Sequence, residues 1–155
     1  MRSPDELTTA FRAQGLKMTP QRQAIFRALH QTTDHPTAES VYAMVSADMP
    51  SISLRTVYQT LNDLTTMGEL VALDLGTGST RFDPTADDHH HLVCVACGAV
   101  HDLFLDVQVA VPAAQAAGFS VGRPEITWRG MCPSCSDRPP APQTEQPAQR
   151  EETNA

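Results

Sequence analysis

Ser53-Leu54-Arg55-Thr56-Val57-Tyr58-Gln59-Thr60-Leu61-Asn62-Asp63-Leu64 repeats apolar residues at Leu54, Val57, Tyr58, Leu61 and Leu64, which is a helical spacing. Its other face offers Arg55, Thr56, Gln59 and Asn62. After Gly68 the period becomes extended: Leu70-Val71-Ala72-Leu73 runs into Gly76-Thr77-Gly78-Ser79 and returns through Thr80-Arg81-Phe82, a hairpin with a glycine-rich tip. Upstream lie three helix starts. Ser3-Pro4-Asp5-Glu6 opens the first, which Gly15 ends; Thr19-Pro20 opens the second, with Ala24, Ile25, Ala28 and Leu29 inward as far as about His30. Thr37 opens the third, with Val41, Met44 and Val45 inward and Pro50 as its stop. Short helices followed by a two-stranded hairpin predict a winged helix-turn-helix, whose last helix enters a major groove while the wing lies over the backbone. The alternative at this level is a small helical domain that binds another protein.

Beyond Phe82 the character changes. Residues 83–88 are a polar hinge, and His91 to Leu105 is mostly apolar and extended, interrupted by a Cys-x-x-Cys-Gly knuckle. The Ala-rich stretch from about Val107 to Ala117 predicts a helix closed by Gly118, either starting near Pro112 or kinked there. Phe119-Ser120-Val121 and Glu125-Ile126-Thr127-Trp128 read as further strands. The expected architecture is α+β: a winged-helix domain over 1–82, a hinge over 83–88, a small α/β metal-binding domain with structural zinc over 89–135, and a disordered tail over 136–155, which holds almost nothing to bury.

Only four cysteines are present, Cys94 and Cys97 in one Cys-x-x-Cys and Cys132 and Cys135 in another, with 34 residues between the pairs. Four thiolates at that spacing select zinc in a closed tetrahedron, a site that stabilises a fold and performs no reaction. Thiol redox sensing is the rival reading and requires a lowered pKa and exposure. A different ligand chemistry sits beside the first pair in His89-His90-His91. In an extended segment residues two apart share a face, so His89 and His91 point together and His90 points away. Cys94, three residues after His91, faces the opposite side, so one strand can serve two metals. Asp83 and Asp102 lie near enough in the inferred order to add oxygens, and His35, before Pro36, could contribute from the other domain. Such a nitrogen and carboxylate set suits iron(II), manganese or zinc. By alternation His101 falls on the other face and is expected not to ligate.

At 155 residues the chain is long enough for one ordinary domain or two small ones, and a structural metal would offset a thin core. It lacks an apolar run of membrane-spanning length and an apolar signal core after Met1-Arg2-Ser3, so a cytoplasmic location away from membranes is expected. The net charge of -7 is unevenly spread: residues 1–82 carry seven Lys/Arg against eight Asp/Glu, and residues 83–155 four against ten. Charge permits a local basic patch and no more.

From about Leu7 to Cys135 the chain resembles the ferric uptake regulator family. The resemblance rests on Met18-Thr19-Pro20-Gln21-Arg22, His35-Pro36-Thr37-Ala38, Arg55-Thr56-Val57-Tyr58-Gln59-Thr60-Leu61, Arg81-Phe82-Asp83, His89 to Gly98, and Cys132-Pro-Ser-Cys135. It implies a homodimeric, metal-responsive transcription factor on double-stranded DNA, and within the family the peroxide-responsive branch. His35, Asp83, His89, His91 and Asp102 match that branch's regulatory site, where an aspartate at the position of Asp102 is typical. The implied mechanism has iron(II) or manganese(II) bridging the two domains and closing the dimer onto a palindromic operator. Peroxide then reacts at the iron, a ligand imidazole (His35 or His89) is oxidised, and DNA is released. Three departures stand out: Pro124 where many relatives have a histidine of a further metal site, Gln59 where many have arginine, and Pro112 in the dimerisation helix.

DNA contact divides into positioning and reading. Arg22 and Arg81 are candidate phosphate partners, and Arg55, Thr56, Tyr58 and Gln59 could meet base edges. Tyr58 also falls on the apolar stripe, where core packing competes for its ring. Rival readings are a sensor of iron, manganese, zinc or nickel supply, a protein-binding adaptor with structural zinc, and a zinc metalloenzyme with Asp83 or Asp88 as base. The last lacks the spaced His-Glu motifs of metallohydrolases and deaminases, and a non-enzyme is expected.

Overall fold

A computed structural model of the chain describes residues 1–32, 34–85, 87–122 and 124–137. The tail expected from Ser136 onward falls almost wholly outside them. Helix α1 (Pro4–Ala13) starts with a complete capping box, Ser3 accepting from the Glu6 amide and Glu6 accepting from the Ser3 amide at 2.9 Å. Thr19 caps α2 (Pro20–His30), Thr37 caps α3 (Ala38–Asp48) and Ser53 caps α4 (Leu54–Thr66), each hydroxyl accepting from the amide three residues on.

The four helices bury one core of Leu7, Phe11, Ile25, Phe26, Leu29, Val41, Val57, Leu61 and Leu64, closed by Phe82 from the hairpin. Phe11 and Phe26 meet edge-on at 4.8 Å between ring centres. Three residues expected inward on helical period are outside: Met44 is 42% exposed, Tyr58 40% and Leu54 36%. The buried stripe of α4 is Val57, Thr60, Leu61 and Leu64, rotated toward Thr60, whose hydroxyl is satisfied by the Thr56 carbonyl at 2.8 Å.

The wing pairs β1 (Val71–Leu73) antiparallel with β2 (Arg81–Asp83), Val71 opposite Asp83 and Leu73 opposite Arg81. Asp83 therefore belongs to the wing, one residue past the expected boundary. Three further strands, β3 (His90–Cys94), β4 (Val100–Leu103) and β5 (Thr127–Gly130), form a sheet in the order β4-β3-β5. β4 runs antiparallel to β3 and β5 parallel to it. A four-residue helix, α5 (Pro133–Ser136), carries the last cysteine.

The connection between β4 and β5 departs from expectation. The helix predicted over Val107 to Ala117 is reduced to one turn, in which Gln115 and Ala116 donate to the Pro112 carbonyl at 2.8 and 3.0 Å. Proline starts that turn, and positive φ at Ala117 (48°) and Gly118 (82°) stops it. Phe119-Ser120-Val121 is not a strand, and the last strand begins at Thr127, two residues later than expected. Among the described residues, the segment's apolar side chains are largely uncovered: Phe119 is 80% exposed and Phe104 66%. Among the described residues, no helix is long and apolar enough to cross a membrane.

Candidate metal centres

The four cysteine sulfurs converge within 4.8 Å of one another. Cys97 and Cys132 stand 3.7 Å apart, far beyond a disulfide bond and close to the roughly 3.8 Å edge of a tetrahedron with zinc–sulfur bonds of about 2.3 Å. The first knuckle is shaped by Gly98, whose φ of 70° lets its amide return to the Cys94 carbonyl at 2.9 Å. Backbone amides of Cys132, Cys97 and Ala96 aim at the Cys94 sulfur and lower its pKa to about 6. Cys135 is pushed up to about 12, because it shares its proton with Cys132 and Cys97 and burial opposes its charge. Four thiolates cannot ionise together unaided; a divalent cation inside the cage would release the held proton. The donor set fits zinc.

A second cluster lies across the hinge. His35 comes from the loop before α3, Asp83 from the end of β2, His89 from just before β3, and His91 from within it; their donor atoms also fall within 4.8 Å of one another. Asp102 of β4 closes the group, its Oδ1 3.0 Å from His35 Nε2 and 3.6 Å from His89 Nε2. His89 Nε2 is 3.0 Å and His91 Nε2 3.7 Å from Asp83 Oδ2. His90 points elsewhere, its Nδ1 facing the Ile126 amide and its ring against Trp128, and His101 is exposed.

The outer contacts fix the rings. His89 Nδ1 meets the Asp87 carbonyl at 2.7 Å, so it carries the hydrogen and leaves Nε2 a bare donor. Asp83 Oδ1 accepts from the Thr85 amide at 2.7 Å. Inside, by contrast, Nε2 of His35, His89 and His91 and Oδ1 of Asp102 are buried without any hydrogen-bond partner, although they lie 3.0 to 3.7 Å from one another's carboxylates. For the two 3.0 Å pairs, His35 with Asp102 and His89 with Asp83, distance is satisfied and direction is not: the lone pairs aim at a shared point and not at one another. Three imidazoles and two carboxylates with that aim fit a divalent cation of the iron(II), manganese(II) or zinc type.

Electrostatics agree. Burial pulls the His35 pKa down, but the charges of Asp83, 3.6 Å away and too far to hydrogen-bond, and of Asp102 outweigh it, so the pKa is raised. For Asp83, burial acts upward and His35, with the Thr85 amide, prevails downward. His91 is lowered, by burial first and then by its neighbouring imidazoles. A cleft of about 890 Å³ opens on this cluster, lined by Asp83, His89, His91, Phe104 and Glu125 among others.

The sites proposed for DNA divide. Arg55 and Gln59 are exposed on α4 and Thr56 is half-buried, its hydroxyl 2.9 Å from that of Ser53. Tyr58 is outward, its hydroxyl donating to Glu39 of α3 at 2.6 Å. Arg22 and Arg81 are put to other use. Arg22 pairs with Asp63 of α4 at 2.6 Å, both side chains largely buried, and donates to the Lys17 carbonyl. Arg81 donates to the carbonyls of His35 and Gly98 at 3.1 and 2.7 Å. Both guanidiniums are engaged within the chain, Arg22 between helices and Arg81 between the wing and the cysteine knuckle. The groups that sequence reading missed, Glu39, the Thr85 amide and the Asp87 carbonyl, act through exposed or backbone atoms that leave no residue signature.

A model of the ferric uptake regulator family matches residues 13–127. The peroxide-responsive repressor PerR of Staphylococcus saprophyticus is 34% identical over 137 residues, covering 86% of this chain and 92% of the relative. The solved structure of PerR from Streptococcus pyogenes, a peroxide-sensing gene regulator, is 30% identical at a TM-score of 0.51, over 87% of this chain and 94% of that one. The Helicobacter pylori ferric uptake regulator, with three functional metal-binding sites, shares the fold at a TM-score of 0.67 and 19% identity, over 85% and 90% of the two chains. With its matched span, its α+β fold and its two ligand clusters, this chain belongs to the ferric uptake regulator family.

Proposed function

We propose that the protein is a homodimeric, metal-dependent transcriptional repressor that releases a palindromic operator when peroxide oxidises one of its histidines. The reading rests above all on one observation: buried imidazole nitrogens from both sides of the hinge aim at a shared point without hydrogen-bond partners. In this reading the winged-helix part binds DNA, the sheet domain dimerises, and Cys94, Cys97, Cys132 and Cys135 hold structural zinc. His35, Asp83, His89, His91 and Asp102 hold regulatory iron(II) or manganese(II), and Arg55, Thr56, Tyr58 and Gln59 meet the DNA.

The chain's own groups do the coupling. His35 rides on the loop into α3, whereas His89, His91 and Asp102 ride on the sheet domain. A cation that needs ligands from both binds only the closed arrangement and shifts the population toward it. Asp87 and Thr85 hold the His89 ring and the Asp83 carboxylate in place beforehand. Iron(II) held by His35, Asp83, His89, His91 and Asp102 would supply one-electron reducing power toward peroxide beside the ligand imidazoles. The net change on the chain would be imidazole C–H plus hydrogen peroxide giving C–OH plus water, with no net change in the metal. An oxidised ring is a poor ligand, the shared point loses a donor, and the hinge is free to open.

The test is peptide mass analysis of anaerobic iron(II) protein exposed to one equivalent of peroxide, with manganese and zinc controls and DNA binding followed in parallel. One added oxygen on the His35 or His89 peptide, only with iron and together with DNA release, is expected. Unmodified histidines with DNA still bound would turn the reading to a sensor of metal supply. His35→Ala and Asp102→Ala are expected to lose metal-dependent DNA binding while keeping the fold and one zinc per chain. Retained metal-gated binding in either would remove that residue from the site.

A further inference from the structure

Two arginines cross the boundary between the wing and the cysteine knuckle in opposite directions. Arg81 of β2 donates through Nη2 to the Gly98 carbonyl at 2.7 Å, inside the knuckle turn. Arg129 of β5 donates back through Nη1 to the Leu75 carbonyl at 2.9 Å, in the wing hairpin. Glycine receives each guanidinium: a Cβ on Gly98 would stand 3.2 Å from Arg81 Nη2, and one on Gly76 3.5 Å from Arg129 Nη2. Both glycines hold positive φ, 70° and 66°, so the turns that present these carbonyls depend on them. Beside the straps, Leu73 and Leu75 of the hairpin pack with Val93 of β3 and with Val100, a small core separate from the main one. Arg81 also reaches the His35 carbonyl at 3.1 Å, so one guanidinium touches the wing, the knuckle and the backbone of a residue in the histidine cluster.

We propose that Arg81 and Arg129 are positioning residues that lock the wing onto the cysteine knuckle, a second latch that sets the closed arrangement independently of the hinge. The proposal rests on the function proposed above, because the latch acts on the same closed state that the histidine cluster reads. Charged donors on part-buried carbonyls such as these make stronger hydrogen bonds than neutral ones. Latch and cation then share one equilibrium: the apparent affinity of a cation that binds only the closed form falls in proportion to the fraction closed. Disturbing the knuckle would loosen the wing even with the histidine cluster intact.

The experiment uses the full chain with its cysteines zinc-loaded and compares wild type, Arg129→Gln and the conservative Arg129→Lys. Manganese(II) is titrated in competition with a chromogenic chelator, hydrogen exchange of residues 71–83 is followed before manganese is added, and melting temperature and zinc content are recorded. Arg129→Gln is expected to speed hairpin exchange and weaken apparent manganese affinity about tenfold at unchanged zinc content, with Arg129→Lys in between. Unchanged manganese affinity overturns the latch, even if the melting temperature falls, because that is what a merely structural contact would do. Should wild type take up no manganese, the functional reading fails, and hairpin exchange alone decides: faster in Arg129→Gln supports the latch, equal rates overturn it.

Discussion

Asp63 and Arg22 meet at 2.6 Å with side chains 17% and 13% exposed, and the guanidinium also lies 5.3 Å from the centre of the Phe11 ring. Removing one partner leaves a charge in a half-dry site, so Arg22→Ala is expected to cost about 3 kcal/mol of stability in urea unfolding. Arg22→Met with Asp63→Leu removes both charges and is expected to recover most of that loss; recovery of folding without recovery of DNA affinity would restore Arg22 to the phosphate contacts. Tyr58 offers a titration at the same scale. Its hydrogen bond to Glu39 holds the phenol proton and raises its pKa, while the same bond lowers that of Glu39. The sign follows: the contact supports the fold below the ordinary tyrosine value of about 10 and is lost as pH rises through the raised value, and at the acid end it is lost as Glu39 protonates below its ordinary range. The chain has two tyrosines, so in a Tyr42→Phe background the ultraviolet titration reports Tyr58 alone, and Glu39→Gln should bring it down. A titration unmoved by that change would mean the bond does not persist in solution. Ligand types were legible at this scale because chemistry is written in residue identity. The fate of Arg22 and Arg81 was not, since a surface cation and a buried strut are the same letter until Asp63 and Gly98 arrive from 41 and 17 residues away.

Helix α4 illustrates what an element owes to its first residue. Ser53 accepts from the Thr56 amide at 3.1 Å, and the Ser53 carbonyl takes the Val57 amide at 3.2 Å, so the cap orients the turn that carries Arg55 and Thr56. Ser53→Ala is expected to cost about 1 kcal/mol in denaturant unfolding. Restoration by Ser53→Asp, whose carboxylate also faces the helix dipole, would separate capping from a direct role of the hydroxyl. Three of the long helices were readable because Ser3, Thr19 and Thr37 sit where local chemistry starts a helix, and α4 was readable from its apolar period, to which the structure adds Ser53 as the cap. The Ala-rich stretch before Gly118 failed for the complementary reason. Alanine supplies propensity but little apolar area, and with Pro112 in its middle a single turn is all that local energy sustains.

At the scale of the molecule, the part that could not be read is the part that faces outward. Val109, Val111 and Val121 are 56%, 45% and 55% exposed, and with Phe104 and Phe119 they give the connection between β4 and β5 an apolar surface left open among the described residues. Phe119 and Val121 are both exposed, so the extended apolar pattern of Phe119-Ser120-Val121 has no buried face on which to form a strand. A second copy is the fitting cover, because a two-fold interface presents the same apolar surface from both sides. Each phenylalanine that becomes buried contributes about 1.5–3 kcal/mol, and symmetry counts it twice. Phe119→Asp should therefore weaken self-association at least about a hundredfold. Sedimentation equilibrium is expected to give a two-chain mass for the wild type and a one-chain mass for the variant at the same concentration, with the zinc content of both unchanged. A wild type that sediments as one chain would leave this surface to another partner. It would also remove the reason for a palindromic operator, since the two-fold symmetry of the DNA is useful only to a protein that has it too.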